Sequence, residues 1–173
     1  MRRSFVLLLF VCLAAVHPMA AGKRERWTRV SVMEPKATLA LTNALDGAVD
    51  WLADEGCRQI FTEFHDLSGR PLTERLAELK VDGPAFLRLI VWYDGTFSSQ
   101  CRSGGPLAYT APGSRVVFIC TQLFADATFS NLDLGRAVVL HEALHSLGLG
   151  ENPPSSREIT RRVRTMCGER RRS

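Results

Sequence analysis

Two histidines and a glutamate carry the clearest chemistry in this chain. His141-Glu142-Ala143-Leu144-His145 reads H-E-x-x-H and uses two of only four histidines. On a helix, residues four apart share a face. His141 and His145 can therefore present two imidazoles to one metal ion. Glu142, one position on, is turned aside but close enough to reach water at that metal. Zinc hydrolases use this arrangement, with two His ligands and the Glu as general base. Buried His and Glu on a core helix are costly without a partner, and a metal supplies one.

Zinc normally takes three protein ligands and leaves a fourth position open. Glu151, Glu158, His65 and Asp94 are the candidates for the third. Glu151 is favoured. It lies ten positions after His141, just past Gly148 and Gly150, and glycine lets a chain leave a helix sharply and return beneath the metal. Glu158 has a local role, since Ser155 followed three residues later by Glu158 fits a capping box. His65 and Asp94 cannot be positioned from the sequence.

The stretch H-E-A-L-H-S-L-G-L-G-E, His141 to Glu151, resembles the metzincin signature H-E-x-x-H-x-x-G-x-x-H/D. It is most similar to that of the short secreted peptidases of the snapalysin type, which share the L-G-L after the second His and use an acidic third ligand. The resemblance covers about eleven residues. It implies a zincin fold and metallopeptidase activity, with His141, His145 and Glu151 as zinc ligands. Glu142 becomes the base and Gly148 the turn glycine. Glu151 is one methylene longer than the family's Asp. Met166 is the only downstream candidate for the family's methionine turn.

These residues need elements to hold them. Leu132–Leu147 reads as a helix that is apolar nearly all round, hence a buried central helix, stopped by Gly148 and Gly150. A first helix is expected over 35–55, from Leu41, Leu45, Ala48 and Leu52 at helical spacing, with Gly56 as its cap. Cys57–Phe64 is ambiguous between helix and strand. Leu72–Leu79 reads as a short helix, broken by Asp82-Gly83-Pro84. Phe86–Tyr93 is the best strand, ended by Asp94-Gly95. Thr96–Ser114 reads as loop, Arg115–Cys120 as a second strand pairing with the first, and Thr121–Asn131 as a connector with one helical turn. After Pro153-Pro154, Ser155 opens a last helix with Ile159, Val163 and Met166 on one edge. The expected fold class is α+β and zincin-like. A small antiparallel or mixed sheet packs on the H-E-x-x-H helix, with additional N- and C-terminal helices.

The chain has 173 residues, 46% hydrophobic and 23% charged, an ordinary globular composition. Residues 1–21 read as a signal peptide, with Arg2 and Arg3 before an apolar run too short to span a membrane comfortably and small residues after it. Residues 22–34 read as a linker, 35–168 as the catalytic domain and 169–173 as a basic tail. Export changes the reading of the cysteines. Cys57, Cys101, Cys120 and Cys167 allow three pairings. Cys101 with Cys120, which bracket a turn-rich segment, is favoured, leaving Cys57 with Cys167.

The net charge of +4 is uneven. Seven of the arginines fall between Arg157 and Arg172, without the aromatic platforms expected of a nucleic-acid stripe. The reading is a secreted or periplasmic, monomeric zinc metallopeptidase. It acts on a peptide or protein, with no nucleic-acid partner and no stable membrane insertion once the signal is removed. Tyr93 and Tyr109 are possible oxyanion donors, and Arg115–Ile119 is a possible edge for an extended substrate. The alternative is a non-catalytic, exported zinc-binding interaction module.

Overall fold

The computed structural model describes residues 27, 29–31, 33–102 and 104–169. The expected signal peptide and most of the basic tail lie outside the described residues. The fold is α+β, mostly helical, with one small mixed sheet.

Helix α1, Pro35–Leu52, has Pro at its first position and buries Ala37, Ala40, Leu41, Ala44, Leu45 and Ala48 along one side. Alanines at that spacing let a neighbouring helix approach closely, and α1 packs on the central helix. It stops three residues short of the expected end. Asp54 starts a new helix instead, its side chain accepting from the Cys57 amide. Gly56 thus sits inside α2, Glu55–Arg58, and α3, Ile60–Glu63, follows. The ambiguous segment is helical.

Helix α4, Leu72–Leu79, has the expected bounds, closed by Lys80 at φ 55°. The next run departs from expectation. Phe86–Leu89 belongs to a helix, α5, Gly83–Leu89, and only β1, Val91–Asp94, is strand. Asp82 is not a breaker but the cap, accepting from the Ala85 amide, and Pro84 sits in the first turn, where its missing N–H costs nothing. β2, Ala108–Tyr109, lies within the expected loop, and β3 is Val116–Ile119.

β1 and β3 pair in parallel, from Val91 opposite Val116 to Asp94 opposite Ile119. β2 pairs antiparallel with β3, giving the order β1-β3-β2. Both edges of β3 are therefore occupied, so Arg115–Ile119 cannot serve as the substrate edge. The outermost strand on the other side is β2. The far edge of β1 is met by Val30, with Ser31 donating to the Trp92 carbonyl. The segment read as a linker is thus tied to the domain, and Trp27 also donates to Asp46 at 2.7 Å.

The expected connector is a full helix, α6, Thr121–Ser130, packed on α1. Asn131 then caps α7, Leu132–Ser146, which buries eleven residues on all sides. α8, Ser156–Val163, opens with Ser155 accepting from the Glu158 amide and buries Ile159 and Val163. A π-helical extension, Arg164–Glu169, follows. Cys57 is bonded to Cys167 and Cys101 to Cys120, as the spacing suggested.

Candidate metal centre

Helix α7 ends in a Schellman turn. The Leu149 amide donates to the Leu144 carbonyl at 3.1 Å and the Gly148 amide to that of His145 at 2.8 Å. Gly148 takes φ 118°, a region that strains other residues. Leu144 and Leu149 are both buried, the apolar contact that accompanies this motif. The loop after α3 clamps the turn from outside. Asp66 bridges to Leu149, and the Leu67 amide donates to the Gly148 carbonyl.

This turn has two consequences at the site. It folds the Leu149 carbonyl back to 2.7 Å from His145 Nδ1, and it returns the chain so that Glu151 faces the two imidazoles. Glu151 Oε1 is 3.3 Å from His145 Nε2 and 3.7 Å from His141 Nε2. The two Nε2 atoms are 3.0 Å apart. His141, His145 and Glu151 thus form a group able to hold a metal ion, the histidines buried and the glutamate exposed.

Proton placement sharpens this. A carbonyl oxygen only accepts, so His145 Nδ1 carries the proton and its Nε2 presents a lone pair. On His141, Nδ1 pairs with Thr160 Oγ1 of α8 at 2.9 Å. The 3.0 Å gap between the Nε2 atoms then holds either a proton or a cation, and the Glu151 carboxylate offers a third lone pair to the same point. Burial, reinforced by His145, depresses the His141 pKa to about 3. That favours neutral imidazole, the form that binds metal.

Glu142 is 5% exposed, and its Oε2 has no hydrogen-bond partner. Burial first, and the negative charge of Glu151 second, push its pKa up to about 8. A cation at the three ligand atoms would offset both effects. An orphaned buried carboxylate oxygen, in the same cleft as two imidazoles and a second carboxylate, fits a divalent cation.

The cleft holding these groups has a volume of about 380 Å³. Pro106, Ala108, Tyr109, Thr110 and Pro112 form one wall and Ser156 opens the other. The Gly113 amide donates to the His145 carbonyl at 2.8 Å, which ties the first wall to the end of α7.

Of the proposed site residues, His141, Glu142, His145 and Glu151 come together. Glu158 is turned to Arg162, 2.8 Å away. Asp94 accepts from the Thr96 amide, and His65 lines a separate groove behind the exit turn. Tyr109 lines the cleft and stacks on Phe118, whereas Tyr93 lies across Phe118 and away from the cleft-lining residues. Met166 packs against the core. Thr160 and the Leu149 carbonyl were not visible as site groups in the sequence. Leu149 lies four positions after His145, a local signal. Thr160 lies nineteen from His141 and has none.

No helix among the described residues is long and apolar enough to cross a membrane, and the two disulfides are consistent with an extracellular location. No known protein family, curated protein or solved structure matches the chain.

Proposed function

We propose that the protein is an exported, zinc-dependent metallopeptidase with a metzincin-like site. The observation that carries this reading is the convergence of His141, His145 and Glu151 beside a buried, unpaired Glu142 oxygen in an open cleft. Four-coordinate zinc, with bonds of about 2.0–2.1 Å, holds its ligand atoms about 3.3 Å apart. The separations of 3.0, 3.3 and 3.7 Å bracket that value. Two imidazoles and a carboxylate are also the donor set of catalytic rather than structural zinc.

A divalent ion held there supplies Lewis-acid polarisation of a carbonyl and acidifies water at the site. The remaining work belongs to the chain. Thr160 and the Leu149 carbonyl fix the two imidazoles from behind. Glu142 Oε2 takes a proton from water and returns it to the leaving nitrogen. The outer edge of β2, with Ala108 and Tyr109 in the cleft wall, is the strand on which an extended peptide can add.

The test is peptide cleavage followed by mass spectrometry, for the parent protein and Glu142→Gln, each with zinc content measured. The expected result is equal zinc and a rate lowered about 10²–10⁴-fold in the variant. Equal rates in both would remove Glu142 from the reaction. Zinc bound by the parent with no hydrolysis of any peptide would favour a non-catalytic zinc module.

A further inference from the structure

We propose that the outer face of α8 binds an acidic stretch of the peptide substrate as it leaves the metal cleft past Ser156. This rests on the peptidase reading and names the substrate class.

Helix α8 has four distinct sides. Ile159 and Val163 are buried and set its inner face. At 100° per residue, the flank toward the metal carries Ser156 and Thr160. Ser156 lines the cleft, and Thr160 meets His141. The opposite flank carries Glu158 and Arg162, where Arg162 is satisfied by Glu63 at 2.6 Å and Glu158 at 2.8 Å. The face pointing outward carries Arg157 and Arg161, and Arg164, the first residue of the π-helical extension, continues it; all three are exposed.

The arginines thus divide by function. Arg162 is neutralised within the fold. Arg157 and Arg164 form no ion pair among the described residues, and Arg161 has only Glu158, 3.8 Å away. This cationic ridge is continuous with the cleft, because Ser156 lines both the cleft and the groove along the ridge. The facing wall, Pro106 to Pro112, contributes no charged side chain to the cleft. The carboxylates of Glu142 and Glu151 lie at the metal site, so the positive charge at this exit comes from α8.

Spacing favours an extended peptide as the occupant. Arg157 and Arg161 are one helical turn apart, roughly 6 Å along the axis. In an extended chain, side chains on one face recur every second residue, roughly 7 Å. Acidic residues at alternate positions would meet successive guanidinium groups.

The experiment uses the full chain carrying Glu142→Gln and loaded with zinc, so that peptides bind without being cut. Three fluorescein-labelled decapeptides share one neutral sequence, with Glu, Lys or Gln at three alternate positions in one half. A second set carries them in the other half. Fluorescence anisotropy at low salt is expected to show a Glu peptide from one of the sets binding about tenfold tighter than its Lys counterpart, the gap closing as salt rises. In R157E/R161E/R164E the preference should reverse, with the Gln peptide unchanged. If that variant does not fold, R157Q/R164Q should at least halve the preference. Equal affinities in both sets, including no binding at all, would overturn the proposal, as would a preference that survives charge reversal. So would a single-stranded oligonucleotide that binds the ridge at least as tightly as the acidic peptide. The peptidase reading fails differently, as a parent protein that binds these peptides and zinc but cleaves nothing.

Discussion

At the residue scale, the site is a problem of lone pairs. His145 Nε2, His141 Nε2 and Glu151 Oε1 converge, and the Leu149 carbonyl fixes which nitrogen of His145 bears the proton. Removing Glu151 should therefore weaken zinc more than removing a supporting group. Glu151→Ala is expected to lose more than the roughly 10–100-fold that an outer partner contributes, whereas Glu158→Ala leaves zinc affinity unchanged. Competition against a chromogenic chelator measures both. Thr160→Val should fall within that 10–100-fold range, with Thr160→Ser restoring affinity. The metal-free protein should also show a particular pH dependence. Between pH 4.5 and 8 folded Glu142 holds a proton that the unfolded chain has lost, so stability falls as pH rises. Between about 3 and 6.5 folded His141 lacks a proton that the unfolded chain holds, so stability rises. The two oppose each other up to about pH 6.5, and above it only the fall remains. Urea unfolding from pH 6.5 to 8 should register that fall, on the order of 2 kcal/mol, and Glu142→Gln should abolish it.

At the element scale, what was legible followed the strength of local signals. The helix that carries both histidines reads plainly because α7 is apolar nearly all round and ends at a glycine of positive φ. Gly148 at φ 118° leaves its missing Cβ 3.1 Å from that of Asp66. Gly148→Ala is accordingly expected to cost about 1–3 kcal/mol, measured by denaturant unfolding, and to weaken zinc as Leu149 and Glu151 shift. The run from Phe86 to Tyr93 reads as one strand because a continuous apolar stretch has no period to separate helix from buried strand. The deciding information was Asp82 and Pro84, which serve equally well as a break or as a helix start. α6 reads as a connector with one turn because its side chains show little amphipathic contrast, and packing on α1 and α7 supplies what local sequence does not. Two-residue β2 is below what any alternation can signal. Its place beside the cleft depends on register with β3.

At the scale of the whole molecule, two disulfides close loops of very different size. Cys57–Cys167 spans 110 residues in sequence and Cys101–Cys120 spans 19. In the chain-entropy account, the longer loop restricts the unfolded state more. Replacing Cys57 and Cys167 by Ser should lower unfolding free energy by about 1–2 kcal/mol more than replacing Cys101 and Cys120, as read from urea midpoints. Cys167 also ties the end of the α8 segment to α2, so the larger loss should carry reduced zinc affinity through Thr160. The H-E-x-x-H pair is legible from its spacing, whereas the spacing of the cysteines and of the acidic residues narrows the pairing and the third ligand without fixing them. The support of His141 by α8 was not, since it exists only after the chain has folded.

One divalent ion, in the proposed reading, is shared by His141, His145 and Glu151 in the cleft that Glu142 also lines. Crystals of the protein soaked in zinc, with data collected on both sides of the zinc absorption edge, test it most directly. The expected result is one strong anomalous peak, within about 2.0–2.2 Å of His141 Nε2, His145 Nε2 and a Glu151 oxygen. A peak coordinated by Glu158 or another carboxylate in place of Glu151, or no peak between the two imidazoles, would contradict it.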